Sequence, residues 1–489
     1  MTTQATETSG RSLAARNATF AYVAVAGLIL FLMMLLGLVM RMTQVQWLPI
    51  ELNLFYVLMT MHGAGMVGIA GLGGATIMWY FVGKYVPVST GVFLANLVFF
   101  LAGAVLILGA GFIGGFAAGW TFLFPLPAIS GDAWSVNAAA AYLVGLLLIG
   151  VGFLLFYLDV ARAVISVYGN LGNALGVKQA FGLAPEQDGP PAAVTASTMV
   201  LIVNILGILS GAVVLSLSLV NLYVPSFSFD LLVAKNMIYF FGHVFINATI
   251  YMAVIAVYEI LPIYAHRRWR TSRIFYLGWI SSTVMVLTAY PHHLLMDFVM
   301  PTWILVAGQI ISWCSGLPVA LVTAFGTLTV VYRASIRWDV ASGLLFAGMM
   351  GWITGGIPAI VDATIPINGV MHNTLWVPGH FHTYLLGMMA MLLGFATFLT
   401  LGRSPASALG GGPLGFWLYV FGSLIFLMSL LAGGSASVPR RYAVHLPEWL
   451  LYDRVSMLGA VMIVTGALLL VTRALVRMQS IRHEVVEDV

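Results

Sequence analysis

An all-α, polytopic membrane protein of about twelve transmembrane helices is the fold class this sequence predicts, and three observations predict it. Charged residues make up only 7% of the 489 residues and hydrophobic ones 61%, whereas an ordinary soluble domain carries about a quarter of its residues charged. Apolar runs of bilayer-crossing length, about 20 residues each, follow one another along the whole chain. Hydrocarbon offers backbone groups no water, so a spanning segment must be a helix or a strand of a closed barrel, and these runs are too long for alternating barrel strands.

Taken in order, the runs fall near 18–40, 54–82, 90–113, 136–159, 197–222, 231–264, 273–298, 302–332, 340–362, 378–402, 413–433 and 455–474. They predict a single membrane domain over 17–475, with cytoplasmic tails at 1–16 and 476–489. Basic residues set the orientation. Arg11 and Arg16 precede the first run, and Lys84, Arg162, Lys178, the cluster Arg267, Arg268, Arg270 and Arg273, then Arg333, Arg337, Arg403, Arg477 and Arg482 all fall on the same side. The positive-inside rule makes that side cytoplasmic, together with both termini. The loops around 115–135 and 363–377 on the other side carry no Lys or Arg, while Arg440 and Arg441 break the rule. The net charge of +4 belongs to the cytoplasmic loops and implies no nucleic-acid partner. The first run is too long for the apolar part of a signal peptide and is expected to remain as a span. With one cysteine, Cys314, and no CxxCH, the chain offers neither an internal disulfide nor covalent haem attachment, so a bound metal is expected on nitrogen or oxygen.

Six of the ten histidines lie within these runs, where an ionisable residue is costly and points to function. His380 and His382 stand two residues apart in WVPGHFHTYLL, and a rotation of about 100° per residue turns them to nearly opposite sides of one helix. That helix can face two separate groups. His62 lies in TMHGAGM, whose Gly63 and Gly65 are expected to let a flat macrocycle approach the backbone. His243 shares a helical face with Asn247 at i+4. His292 and His293 close the seventh run, where a finishing helix lets both imidazoles reach one metal. From the direction of each run, all six fall in the outer half of the membrane. Three neutral imidazoles suit copper, zinc or iron.

With these residues in hand, the chain resembles the catalytic subunit I of the haem-copper oxidase superfamily over essentially all twelve spans. HGxxM around His62, the lone histidine of span six, the HH of span seven and MHNTLWVPGHFH in span ten stand in the family's order, and GGFAAGWTFLFPLP and VPRRY are similar to its outer loops. HNT, in place of HDT, looks like the B-type branch. The resemblance implies a low-spin haem on His62 and His382, a high-spin haem on His380, and a further metal ion, copper or non-haem iron, on His243, His292 and His293. It also implies that Arg440 and Arg441 contact haem propionates, which accounts for two cations on the outer side, with His372 and Asn373 close by. Asp362 belongs either to this polar cluster or to solvent.

The chain departs from its oxygen-reducing relatives in one place. They carry a tyrosine four residues after the span-six histidine, where Asn247 stands; the next tyrosine on that helix is Tyr251, and Tyr290 lies too close to His292 to replace it. Cleaving dioxygen takes four electrons, one of them supplied by that tyrosine, whereas coupling two molecules of nitric oxide to nitrous oxide takes two. The expectation is therefore a respiratory oxidoreductase that reduces a small gas, leaning to nitric oxide, with terminal reduction of dioxygen as the alternative and a metal or haem transporter as a distant one. A transporter would show broken spans and two related halves. Electrons are expected from a partner subunit or a cytochrome, with quinol as another source. The expected location is a prokaryotic cytoplasmic membrane. Ser312, Ser315, Thr323 and Thr327 are among the polar residues of span eight, near Pro318, and Glu259 is expected to pair with a cation at the membrane surface.

Overall fold

The computed structural model describes residues 13–400 and 412–487. Among them are twelve helical spans long and apolar enough to cross a membrane, the seventh, eighth and ninth running on to Leu294, Val331 and Asp362; their main helices are α1 (Leu13–Gln44), α2 (Leu52–Val82), α3 (Thr90–Phe112), α4 (Val136–Tyr168), α5 (Ala192–Tyr223), α6 (Leu231–Ala265), α7 (Arg273–Thr288), α8 (Thr302–Val319), α9 (Val340–Thr354), α10 (Trp376–Thr400), α11 (Gly412–Ser435) and α12 (Leu450–Glu487). No strand occurs among the described residues beyond one isolated bridge, so the fold is the all-α bundle that the apolar runs predict. Most of the 1–16 tail and Arg403 lie outside the described residues. α12 continues as helix to Glu487, through the stretch expected as a tail.

Several helix starts follow from local chemistry. Ser89, Ser135, Asp230 and Ser272 each accept a backbone N–H from the first turn of α3, α4, α6 and α7, and Asp339 forms a reciprocal capping box with Ser342 at α9. Each satisfies a donor that the helix itself leaves unpaired. Three spans are less regular than their apolar runs suggest. α7 stops at Thr288 and the chain enters a 3₁₀ turn at Tyr290–Leu294, because Pro291 has no N–H for an α-helix to use. Span eight passes through a π turn at Ala320–Ala324, after Pro318, before resuming as Phe325–Val331. Span nine breaks at Gly355 and resumes as Gly356–Asp362.

Burial singles out three spans. The apolar windows of α2, α6 and α10 are 72%, 89% and 78% buried by protein, against at most 50% for any other. These are the helices that carry His62, His243, and His380 with His382. The remaining spans form a wall around them, mostly as sequential antiparallel pairs such as α3 with α4 and α11 with α12, and α12 closes onto α1.

Candidate haem and metal site

The pocket between α2 and α10 is built on backbone carbonyls. His62 Nδ1 lies 2.7 Å from the carbonyl of Met33 on α1, and His382 Nδ1 lies 2.7 Å from the carbonyl of Pro378 one turn back on its own helix. A carbonyl only accepts, so both rings carry their proton on Nδ1 and keep the Nε2 lone pair for a ligand. The two rings are 17° from parallel with centres 6.4 Å apart. An atom bonded to one nitrogen of each ring at about 2 Å sets the centres roughly 6.5 Å apart, so the pair fits a six-coordinate haem iron between them.

The second cluster lies where α6 meets the turn after α7. Among the described residues, His243, His292 and His293 offer ligand atoms within 4.8 Å of one another. His293 Nε2 is 3.1 Å from both His243 Nδ1 and His292 Nε2. A tetrahedral ion with bonds of about 2 Å spaces its nitrogens by about 3.3 Å, and the trio fits that requirement. Ser312 on α8 fixes one member. Its hydroxyl proton goes to the Gly308 carbonyl at 2.7 Å, so the oxygen accepts from His292 Nδ1 at 2.7 Å and leaves His292 Nε2 deprotonated toward the other imidazoles. Asn247 Nδ2 donates to the His243 carbonyl at 2.8 Å and lies 3.3 and 3.4 Å from the two nitrogens of the His243 ring, over its face. His380 stands across the space, its ring edge-on to Tyr384 at 5.3 Å.

At one end two loops are stitched together. Leu375 N–H donates to the Val438 carbonyl at 2.8 Å, Arg440 N–H to the Asn373 carbonyl at 2.9 Å, and Thr374 bridges Pro439. This brings His372, Arg440, Arg441 and Asp362 to the cavity wall. Asn373 is not among the lining residues; its carbonyl anchors Arg440 instead. Burial, with Arg441 alongside, pulls Arg440 down to about 10, and burial with both arginines pulls His372 down to about 4. Arg440 stays a cation, His372 stays neutral, and the buried Arg440 Nε has no hydrogen-bond partner. An unpaired buried guanidinium N–H fits an anionic substituent of a bound group.

A single cavity of about 810 Å³ joins all six membrane histidines with Asn247, Arg440 and Arg441, at the upper end of the size range for cofactor pockets. Other lining residues have no role at the site predicted from the sequence. Trp120, from the loop after α3, stacks 6.4 Å from Phe381, the residue between the two α10 histidines. Tyr384 sits one turn beyond His380, a spacing visible in the sequence, and Tyr251 joins it in the wall. Tyr290 turns away to Asn236 at 3.1 Å.

Three expectations need correction. A Cβ at Gly63 would meet the Trp120 ring at 2.6 Å, and one at Gly65 would strike the Met33 thioether. Gly63 therefore admits the Trp120 loop while still lining the cavity, whereas Gly65 does not line it and packs against Met33 of the neighbouring helix. It is Gly37 that makes room for the site, since a Cβ there would lie 2.8 Å from the His62 ring. Span eight's Ser312, expected only as a polar residue, orients His292. Finally, Arg440 and Arg441 are not the only cations at the histidine end: Arg41 and Lys235 are there too, paired with Asp453 and Asp297, as is the exposed Arg454. At the opposite end Glu259 pairs with Lys84 at 3.4 Å and accepts from Tyr85 at 2.9 Å, as expected of an interfacial carboxylate.

The fold and these residues define a membrane helix bundle with paired imidazoles for one group and converging imidazoles for another. The family model described as "Cytochrome C and Quinol oxidase polypeptide I" matches residues 17–462, and the chain belongs to that family. It is 24% identical over 239 residues to cytochrome c oxidase polypeptide 1 of Halobacterium salinarum, covering 48% of this chain and 40% of that protein. It is 25% identical over 241 residues to cytochrome c oxidase subunit 1 of Thermus thermophilus, covering 45% and 42%. These two matches thus span about two fifths of each relative's length. The match to cytochrome c oxidase subunit 1 of a Synechocystis species is longer, 24% identical over 440 residues, covering 84% and 74%. A solved heme-copper terminal oxidase dimer shares the fold with a TM-score of 0.76 at 19% identity, over 96% of this chain and 84% of that one.

Proposed function

We propose that this chain is the catalytic subunit of a respiratory haem-copper oxidoreductase that reduces nitric oxide to nitrous oxide. His62 and His382 would hold a low-spin haem, His380 a high-spin haem, and His243, His292 and His293 a copper or iron ion facing it. When bound, the high-spin iron and the second metal supply gas coordination and the two electrons that the coupling needs. With two protons, two molecules of nitric oxide then give nitrous oxide and water.

The observation that carries the reading is Asn247. Its carboxamide lies over the His243 ring, in the position where the oxygen-reducing branches that the chain resembles carry a tyrosine. A carboxamide cannot give up an electron, so four-electron cleavage of dioxygen lacks a donor there, while a two-electron coupling does not require one. The other side chains prepare the space. Ser312 holds the proton on His292 Nδ1, Trp120 stacks on Phe381 between the two α10 histidines, and Arg440 and Arg441 would hold carboxylates of a bound haem. Positive charge at the opposite end supports both termini being cytoplasmic and the cavity facing outward. A partner subunit or cytochrome would then deliver electrons from the outer side.

Dioxygen reduction is the second reading, and two observations favour it: the named relatives are cytochrome c oxidases, and Tyr251 and Tyr384 line the same cavity. Turnover decides. The reduced, purified complex is expected to consume nitric oxide anaerobically with release of nitrous oxide and to consume dioxygen slowly; brisk four-electron oxygen turnover would overturn the proposal. Asn247→Tyr is expected to lower nitric oxide turnover with both haems retained.

A further inference from the structure

A fully enclosed ionisable cluster lies outside the six membrane histidines. His445, in the loop between α11 and α12, is 1% exposed, and its Nδ1 lies 2.7 Å from Asp453 Oδ2, both side chains being fully enclosed. The other carboxylate oxygen accepts from Arg41 Nη2 at 3.2 Å, which joins α1 to α12. Arg41 also donates to Ser456 and, at 2.5 Å, to Gln44. It lines the main cavity together with His62. On α1 it stands one turn beyond Gly37, which packs on the His62 ring, a displacement of about 6 Å along the axis. A fixed cation therefore faces the pocket of His62 and His382, and it shares its counter-ion with an imidazole.

The hydrogen bonds leave one basic atom free. A carboxylate only accepts, so His445 Nδ1 carries a proton, while Nε2 is buried with no hydrogen-bond partner. An imidazolium formed by a proton on Nε2 would have Asp453 as its counter-charge. The other groups packed against His445 are neutral: the edge of Trp449 from its own loop, and Gln46 at the end of α1, whose amide donates to the His445 carbonyl at 3.0 Å. The charges beyond are Arg440, Arg441 and the exposed Glu448 of the same loop, and the exposed Arg454. Val444 and Leu446, on either side, are 70% and 46% exposed, which brings water within one residue of the buried ring.

We infer that His445 is a proton-binding site coupled, through Asp453 and Arg41, to the charge on the low-spin haem. This rests on the assignment of His62 and His382 to that haem. A negative charge arriving in the pocket attracts Arg41, frees the Asp453 carboxylate to interact more strongly with His445, and so favours the proton on Nε2. By linkage, that proton raises the electron affinity of the pocket by the same factor. The step balances with one electron from the donor and one proton from water, and the only bond formed is N–H.

The test is a spectroelectrochemical titration of the purified holoenzyme across the neutral pH range. In the wild type the low-spin haem is expected to lose electron affinity as pH rises, by up to about tenfold per pH unit, or about 59 mV for a one-electron couple. His445→Gln should flatten that slope while the spectrum of a haem with two imidazole ligands is kept, and Arg41→Lys should retain it. Asp453→Asn should flatten it too and raise electron affinity at every pH, because Arg41 loses its counter-ion; it decides the matter if His445→Gln does not retain haem. A flat wild type, or a slope that survives both His445→Gln and Asp453→Asn, overturns the inference. A wild type with no low-spin haem would instead refute the assignment of His62 and His382.

Discussion

The two imidazole sites are built from different materials. His62 and His382 are oriented by main-chain carbonyls, which the helices supply whatever the neighbouring side chains are. The trio of His243, His292 and His293 is oriented by Ser312 and flanked by Asn247, whose effects depend on side-chain identity. The first site is thus expected to tolerate change in its surroundings as long as the helices stay in place. In the second, one substitution can alter metal, proton inventory and chemistry together, and there the chain departs from the branch that it resembles.

The largest effect should come from the atom at the centre of the second site. His293→Ala removes the nitrogen that meets both other ligands, and metal analysis should find the second metal reduced to background with both haems present. Loss of the low-spin haem instead would break the separation between the sites. Ser312→Ala should come next, with a 10- to 100-fold loss of affinity for the second metal, typical of removing a partner that orients a ligand histidine. Ser312→Thr should largely restore it. Gly37→Ala tests the backbone-built site: a Cβ at 2.8 Å from His62 forces the ring or α1 to shift, and should cost about 1–3 kcal/mol with a broadened low-spin spectrum. The smallest effect is electrostatic. His372 is held at about 4, below its ordinary value, by burial and the two arginines, so the unfolded chain takes up its proton first. The stability it contributes is complete above about pH 6.5 and is lost as pH falls toward 4. Thermal melts should show His372→Gln with a flatter acid limb, by about 1–2 kcal/mol once screening at this partly buried position is allowed for.

Much of this site could be read along the chain because its parts obey local rules. His380 and His382 point to different sides of α10 through helical rotation alone, and the HH pair converges on His243 because Pro291 ends the α-helix just before it. Other parts had no local signal. Ser312 looks like any hydroxyl in an apolar span, and becomes a positioning residue only when α8 packs beside the turn after α7. Gly65 suggested room for a macrocycle, but Met33 arrives from α1 to pack against it. The break at Gly355, by contrast, does carry a local signal, the Gly355-Gly356 pair followed by Pro358.

By itself, the sequence determined the solvent in which this protein folds, the number and class of its spans, and which side chains are able to hold metal-centred groups. Those properties follow from hydrophobicity, run length and donor chemistry, all of which reside in single residues or single helices. Only the tertiary structure decided that α2, α6 and α10 form the buried centre, that HNT and PRR join into one wall, and that Arg41 shares Asp453 with His445 across 412 positions of sequence. These are contacts between distant segments, and they exist only once the helices have packed against one another.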